Sequence, residues 1–383
     1  MATVPEDDHP SDLMTPMSRL LGKEDRISDL IAFLATLDPI PLATALGISS
    51  TGTLTSHREV PITGGRPDLM IRCDDVDVAL IELKLSASQH GQQYSAYETW
   101  AMDQRPPVAH YIASLDNDVE GIGPSWISLD LDVLVYSWED SGHPHARWLG
   151  RIAGGTLKTW KKEVDGPIGS ATNKIVADLI TRRLVGELNS SLGDDSAQAF
   201  RTSGGLPMLT LSRPIAGGPA DCRLVIDVRS TSRSDAAAPW IFRSGVEVGV
   251  ENRTPQEARV LAHDLALDIE TALSLRALQD ALDGSGRSDL RAALTAGRGA
   301  ADGMKMTDAG SLSSWRTKAL VEDRVSAHPR MFHDWGRRLA SQLRVNVVGL
   351  DRHGLAAIIR ARMELLSAHH FNLPREAAGT GER

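Results

Sequence analysis

The sequence predicts an α/β protein in two parts: a mixed sheet flanked by helices, followed by a mainly helical C-terminal domain with a small β element. Three observations predict it. Two helical patterns bracket a series of short β-type runs in the first third of the chain. Glycine and proline then cluster between Gly154 and Gly169. From Thr254 onward the apolar residues recur mainly at helical spacing. A length of 383 residues also exceeds the usual single domain.

Residues 1–20 are polar and acidic and read as a flexible tail. The first helix is expected from Lys23, where Ile27, Leu30, Ile31, Leu34 and Leu37 keep helical spacing until Pro39 stops it. Strands are expected over residues 53–59, 69–73 and 78–85, with Asp74, Asp75 and Asp77 in the hairpin turn between the last two. A helix over 88–103 must end before Pro106 and Pro107, because proline steers the preceding residue out of helical geometry. Residues 108–114 and 133–138 are apolar enough for two further strands. Gly154, Gly155, Gly166, Pro167 and Gly169 then close a first domain over 21–165.

The second domain is expected over 166–373. A helix covers 173–188, and residues 186–219, rich in Ser, Gly and Asp, read as a linker or long loops. Strands follow at 223–229 and 240–250. Thr254-Pro255-Gln256-Glu257 supplies an N-cap, a proline at the first helical position and a glutamate at the third. Leu261, Leu265, Ile269 and Leu273 carry that helix towards Gly284. Apart from a glycine-rich break at 297–303, the remainder to His370 reads as helical, and 374–383 as a loose tail.

The composition, 42% hydrophobic and 24% charged, excludes global disorder and fibrous repeats. The net charge of -9 is uneven. Through Asp165 there are 13 Lys+Arg against 25 Asp+Glu, a net of -12, and beyond it 28 against 25, a net of +3. Cys73 and Cys222, far apart and alone, form neither a zinc motif nor a disulfide framework, which suits a reducing compartment. The start lacks the basic and apolar regions of a secretory signal, and no apolar run approaches the roughly 18 residues that span a bilayer. A soluble cytoplasmic protein without a membrane partner is the expectation. Hydrolase-elbow, P-loop and dinucleotide-binding motifs are absent from the sequence.

The informative stretch is Pro67-Asp68 followed by Glu82-Leu83-Lys84. Side chains two apart on a strand share a face, so Glu82 and Lys84 project together. The acidic turn folds Asp68 back beside them. Paired carboxylates suit a hard divalent cation such as Mg²⁺, which polarises a phosphoryl oxygen and acidifies a bound water. A neighbouring lysine can orient that water or offset charge developing on phosphate. Taken alone, a Glu/Lys pair on a strand is more often a solvated ladder. Against that stand the apolar run Val78 to Ile81, which leads straight into Glu82, and the next helix, which places Gln93 and Tyr97 on one face.

Pro67-Asp68, Glu82-Leu83-Lys84 and Gln93-x-x-x-Tyr97 together resemble the motifs of the PD-(D/E)xK nuclease superfamily, including the Gln-x-x-x-Tyr element of its RecB-like branch. The resemblance covers residues 23–138, about a third of the chain. It implies a restriction-endonuclease-like fold and metal-dependent hydrolysis of phosphodiester bonds. It further implies Asp68 and Glu82 as ligands of Mg²⁺ or Mn²⁺, the Leu83 carbonyl completing the shell, and Lys84 as the catalytic lysine. Gln93 and Tyr97 would touch the nucleic-acid backbone or brace the site. Family members often add a carboxylate from the first helix. Glu24 is the candidate, with Asp25 and Asp29 as competitors and a favourable helix-start charge as the alternative account of Glu24. By the same resemblance DNA is favoured over RNA, and bacterial defence against phage or plasmids is the setting, with a homodimer or a partner protein of the defence system. The competing reading is a non-catalytic nucleic-acid- or protein-binding module, or a ligand-sensing regulator in a larger complex.

Phosphate affinity needs cations. Lys158, Lys161 and Lys162, interleaved with Trp160, are one candidate substrate-binding group. The other is the stretch 316–364, with ten Lys+Arg against five acids. Trp315 and Trp335 are expected to pack. His57 and His90 read as structural or exposed, and His143, His145, His369 and His370 lack partners at metal-ligand spacing.

Overall fold

The most apolar run of the first half forms the middle of its sheet. Ala79, Leu80, Ile81 and Leu83 are fully buried in β3 (Val76–Lys84), as a strand covered on both faces requires. β2 (Leu69–Cys73) pairs antiparallel with it across a two-residue turn, Asp74-Asp75. Both turn residues have positive φ, 48° and 66°, the geometry that a tight hairpin demands and that aspartate tolerates. The computed structural model describes residues 11–49, 52–85, 91–115, 123–171, 174–190, 196–232, 235–251, 253–298, 300, 331–334 and 337–371. It divides into two units, Met1–Val164 and Asp165–Arg383, each described by itself.

In the first unit the sheet order is β1-β2-β3-β4-β5, with β1 (Leu54–Arg58), β4 (Ala109–Ser114) and β5 (Ile127–Asp130). β3, β4 and β5 are parallel and β1, β2 and β3 antiparallel, so the sheet is mixed, as expected. The helix α2 (Glu24–Leu37) buries Ile27, Ile31 and Leu34 against β1 and β3. On the opposite face α4 (Gly91–Asp103) packs Tyr94, Tyr97 and Ala101 onto Met70, Leu80 and Ile112. Residues 86–90, including His90 and the expected start of that helix, lie outside the described residues.

Three expectations for this unit need correction. The proposed tail contains α1 (Ser11–Leu20), and Met17 and Leu21 at its end are buried. Residues 133–138 are not a strand: α5 (Leu131–Tyr136) and a short 3-10 turn occupy them, after a further short helix, α3 (Ile40–Ala45), earlier in the chain. Leu131, Leu134, Val135 and Trp138 are buried at helical spacing while Val133 is exposed, so period decides over β-branching. Gly154 and Gly155 do not break the chain but sit inside α6 (Pro144–Glu163). A Cβ on Gly150 would lie 2.5 Å from Trp138 Cβ, and one on Gly154 would lie 2.6 Å from Tyr136 Cα. These glycines permit helices to approach closely.

The second unit carries more β-structure than expected. Its antiparallel sheet runs β10-β12-β9-β8-β7-β6, with β11 (Phe332–Asp334) on β12. The supposed linker 186–219 holds β6 (Ser196–Arg201) and β7 (Pro207–Pro214), where Leu209 and Leu211 are buried in alternation. β8 (Cys222–Arg229) and β9 (Trp240–Val248) fall where expected. β10 (Leu294–Ala296) and β12 (Arg338–Val345) occupy ground read as helical. The helices are α7 (Lys174–Asn189), α8 (Pro255–Asp268), α9 (Leu275–Gly284) and α10 (Arg352–Ser367). Thr254 and Glu257 form the full capping box of α8, but the helix stops at Asp268 because Ser274 caps a new one. The tail 374–383 lies outside the described residues. Among the described residues no helix is long and apolar enough to cross a membrane.

Candidate active site

β3 continues past the last residue it pairs with on β2, since Leu69 faces Ile81 while the strand reaches Lys84. Backbone N–H groups beyond that point need other partners. The Leu83 N–H donates to Asp68 Oδ2 at 2.7 Å, and the Leu85 N–H donates to Glu24 Oε1 at 2.7 Å. Two carboxylates distant in sequence are thereby fixed along the end of β3. Glu82, the residue just before the first of those positions, points to the α4 side, as Leu80 two residues earlier does. It is 3% exposed, and Lys84 on the same face is 8% exposed.

Lys84 Nζ donates to Glu82 Oε1 at 2.7 Å and lies 5.8 Å from the centroid of the Tyr94 ring. Gln93 Nε2 reaches the same Glu82 oxygen at 3.5 Å and donates to the Tyr97 hydroxyl at 2.7 Å. Tyr97 is fully buried, and its hydroxyl also bonds the Arg66 backbone. The expected Gln93/Tyr97 face is therefore present, and its contacts are those of a brace. The other Glu82 oxygen, Oε2, is buried with no hydrogen-bond partner among the described residues. A buried carboxylate oxygen left without a partner costs about 1–3 kcal/mol or more.

Electrostatics follow from this crowding. Burial, reinforced by the Glu82 carboxylate, raises the Asp68 pKa from 3.8 to about 7 against the opposing Leu83 N–H and Lys84. Burial also raises Glu82, although Lys84 counters it. For Lys84, burial disfavours the ammonium, but Glu82 and Glu24 outweigh that and hold it above its ordinary value. The amine thus stays charged at neutral pH.

A divalent cation fits this donor set by its chemistry: hard carboxylate oxygens, one of them buried and unpartnered, with excess negative charge. Among the described residues no group of three or more His, Cys, Asp or Glu is drawn together at metal-binding spacing. One oxygen of Asp68, Glu82 and Glu24 is each engaged by a hydrogen bond. Leu83 offers its carbonyl on the strand edge where its N–H meets Asp68, because both groups of an extended residue lie on one edge.

Other expected residues are placed differently. Asp29 pairs with Arg58, away from Leu85, and Asp25 is exposed. Asp74 accepts from the Thr53 N–H and Asp77 pairs with Arg72, as turn residues do. Lys161 is bound to Asp130 and Asp132 at 2.7 and 3.2 Å, Lys158 lies over the Tyr136 ring, and Trp160 is core, so only Lys162 stands exposed without these ties. His143 caps α6. In the arginine-rich stretch, Arg316, Lys318, Arg324, Arg330, Trp315 and Trp335 lie outside the described residues. Of the others, Arg338 bridges Asp227 and Glu247, Arg360 meets Glu187 and Arg362 is fully buried. No single helical face collects them.

Sequence reasoning missed Tyr94, Leu85 and the Gly64-Gly65 loop before Pro67-Asp68. Gly65 has φ +150° and approaches the Tyr97 hydroxyl so closely that a Cβ would lie 2.8 Å from it. Adjacent glycines ahead of the aspartate were the available signal. No protein-family model matches the chain, and neither a curated protein nor a solved structure matches it.

Proposed function

We propose that the protein is a metal-dependent nuclease of the PD-(D/E)xK type, hydrolysing phosphodiester bonds with Mg²⁺ or Mn²⁺ and acting on DNA in preference to RNA. The observation that carries this reading is the buried, unpartnered Glu82 Oε2 beside Asp68 and a protonated Lys84. A structural ion pair has no need of an empty oxygen and a second carboxylate. Asp68, Glu82 and the Leu83 carbonyl would hold the cation, with Glu24 at the margin. When bound, such an ion supplies Lewis-acid polarisation of the phosphoryl oxygen and a more acidic water.

The chain's own groups divide the remaining work. Lys84, held as an ammonium by Glu82, supplies positive charge to the phosphoryl oxygens as charge develops on them. It is a poor general base in that state. Gln93 holds Glu82 Oε1 and, through Tyr97, ties it to the loop at Arg66, so the carboxylate keeps its orientation. Burial of Glu82 and Lys84 excludes water and strengthens both interactions.

Plasmid, linear duplex and single-stranded substrates incubated with Mg²⁺ or Mn²⁺ test the reading. Wild type should cut, and Lys84→Ala should lose at least about 100-fold in turnover, the scale of removing one charge-stabilising donor. Failure of wild type to cut any substrate with either metal, or an undiminished Lys84→Ala, would overturn it.

A further inference from the structure

The sheet of the second unit has two unlike faces. Side chains on one face meet helices: Arg213 reaches Ser367 on α10, Arg201 reaches Asp178 on α7, and Leu209, Leu211, Ile226 and Phe242 are buried. The alternate residues form the other face, on which Val225 and Ala340 are buried while the residues nearer the strand ends are half-buried or exposed. Directly paired residues share a face, so register assembles a cross-strand row. Phe200 faces Met208, Met208 faces Arg229, Arg229 faces Ile241, Ile241 faces Arg344, and Arg344 faces Thr295.

This row has a distinctive chemistry. Phe200 is 45% exposed, Arg344 and Thr295 are exposed, and Met208, Arg229 and Ile241 are half-buried. Among the described residues neither Arg229 nor Arg344 has a salt-bridge or hydrogen-bond partner, although most arginines of this unit do. No acid stands in the row. The nearest on this face, Asp227, is already taken by Arg338 and Thr210. One strand, β9, lies between the arginines, which sets them two strand spacings apart, about 10 Å. Two uncompensated cations separated by apolar side chains complement a polyanion that also exposes flat apolar groups. A duplex offers phosphates but hides its base faces, whereas a single strand offers both.

We propose that this face binds single-stranded nucleic acid, with Arg229 and Arg344 on phosphates and Phe200, Met208 and Ile241 against unstacked bases. The identity of the polymer rests on the nuclease reading, but the contact itself requires no cleavage. It gives the second unit a role in holding substrate.

The full chain in EDTA, titrated into a labelled single-stranded oligothymidylate, provides the test by fluorescence anisotropy. Each neutralised phosphate contributes a slope of about -0.7 in log K against log salt for single strands. Arg229→Gln with Arg344→Gln should therefore weaken binding about 25-fold at 0.1 M salt and flatten the slope by about 1.4. Arg276→Gln with Arg291→Gln, the same charge change on exposed residues elsewhere in the unit, should leave the affinity within twofold of wild type. Wild type that binds no single strand, a duplex bound more tightly than the single strand, or a platform variant no weaker than the control would each overturn the proposal. Binding lost with the platform variant while wild type cuts nothing would remove the nuclease reading and leave the platform. Cleavage without platform-dependent binding would do the reverse.

Discussion

Asp68→Asn should make the metal-free protein more stable at pH 8 and leave it unchanged at pH 4. The substitution keeps size and shape, and the amide oxygen can still accept from the Leu83 N–H. What it removes is a negative charge that burial and Glu82 disfavour. The Asp68 pKa rises from 3.8 to about 7 on folding. A folded pKa above the unfolded one favours the protonated form. The associated stability is complete below pH 4 and disappears as pH rises through 7. That displacement corresponds to at most about 4 kcal/mol. Urea unfolding of EDTA-treated wild type and Asp68→Asn, followed by tryptophan fluorescence, measures it. Trp100, Trp126, Trp138, Trp148 and Trp160 all lie in the first unit, so the signal reports chiefly on the sheet that carries Asp68. Wild type should lose stability between about pH 4 and 7 relative to the variant. Mn²⁺ at 100 times its dissociation constant should return about 2.7 kcal/mol to wild type and much less to the variant. Parallel pH profiles for the two proteins would refute the electrostatic account of the site.

Two further outcomes follow from the packing. Gln93→Leu removes the link between Glu82 and Tyr97, so turnover in the cleavage assay should fall several-fold for a stability loss of only about 1 kcal/mol by the same urea measurement. In α6, Gly154→Val should cost about 1–3 kcal/mol because its side chain would enter the Tyr136 backbone, whereas Gly155→Ala, in open space, should gain about 0.5–1 kcal/mol. Equal effects at the two glycines would contradict the close-approach explanation.

What the sequence makes legible is local. α2, the β2–β3 hairpin and the capping box of α8 each carry their signal within a few residues. Asp68, Glu82, Lys84, Gln93 and Tyr97 are legible for the same reason: strand period pairs Glu82 with Lys84, helix period pairs Gln93 with Tyr97, and the acidic turn folds Asp68 back towards them. Gly150 and Gly154 mislead because a glycine admitting a neighbouring helix and a glycine breaking a chain look alike until the neighbour is known. Ser and Gly in 186–219 obscure a hairpin whose cue is only the alternation around Leu209 and Leu211. The lysines near Trp160 read as free cations, but Lys161 is committed to Asp130 and Asp132, acids some 30 residues away in sequence. Cross-strand rows such as Arg229–Ile241–Arg344 exist only through register, which no single segment encodes.

Pro67 explains why the site lies where the sheet stops. Continuing the β2–β3 register from Leu69 and Ile81 brings Asp68 opposite Glu82 and Pro67 opposite Leu83. Proline has no N–H to give and cannot extend the ladder. The Leu83 carbonyl is thus left without a donor opposite it, and the Leu83 N–H is taken by the Asp68 side chain, one residue later. The Leu85 N–H, farther along, is taken by Glu24 from α2. Each acid satisfies a donor that the interrupted strand left open, and each adds negative charge beside buried Glu82. Interrupting the ladder and assembling the carboxylates are therefore one event. It leaves an electrostatic excess that Lys84 offsets only in part and that a proton or a cation can relieve.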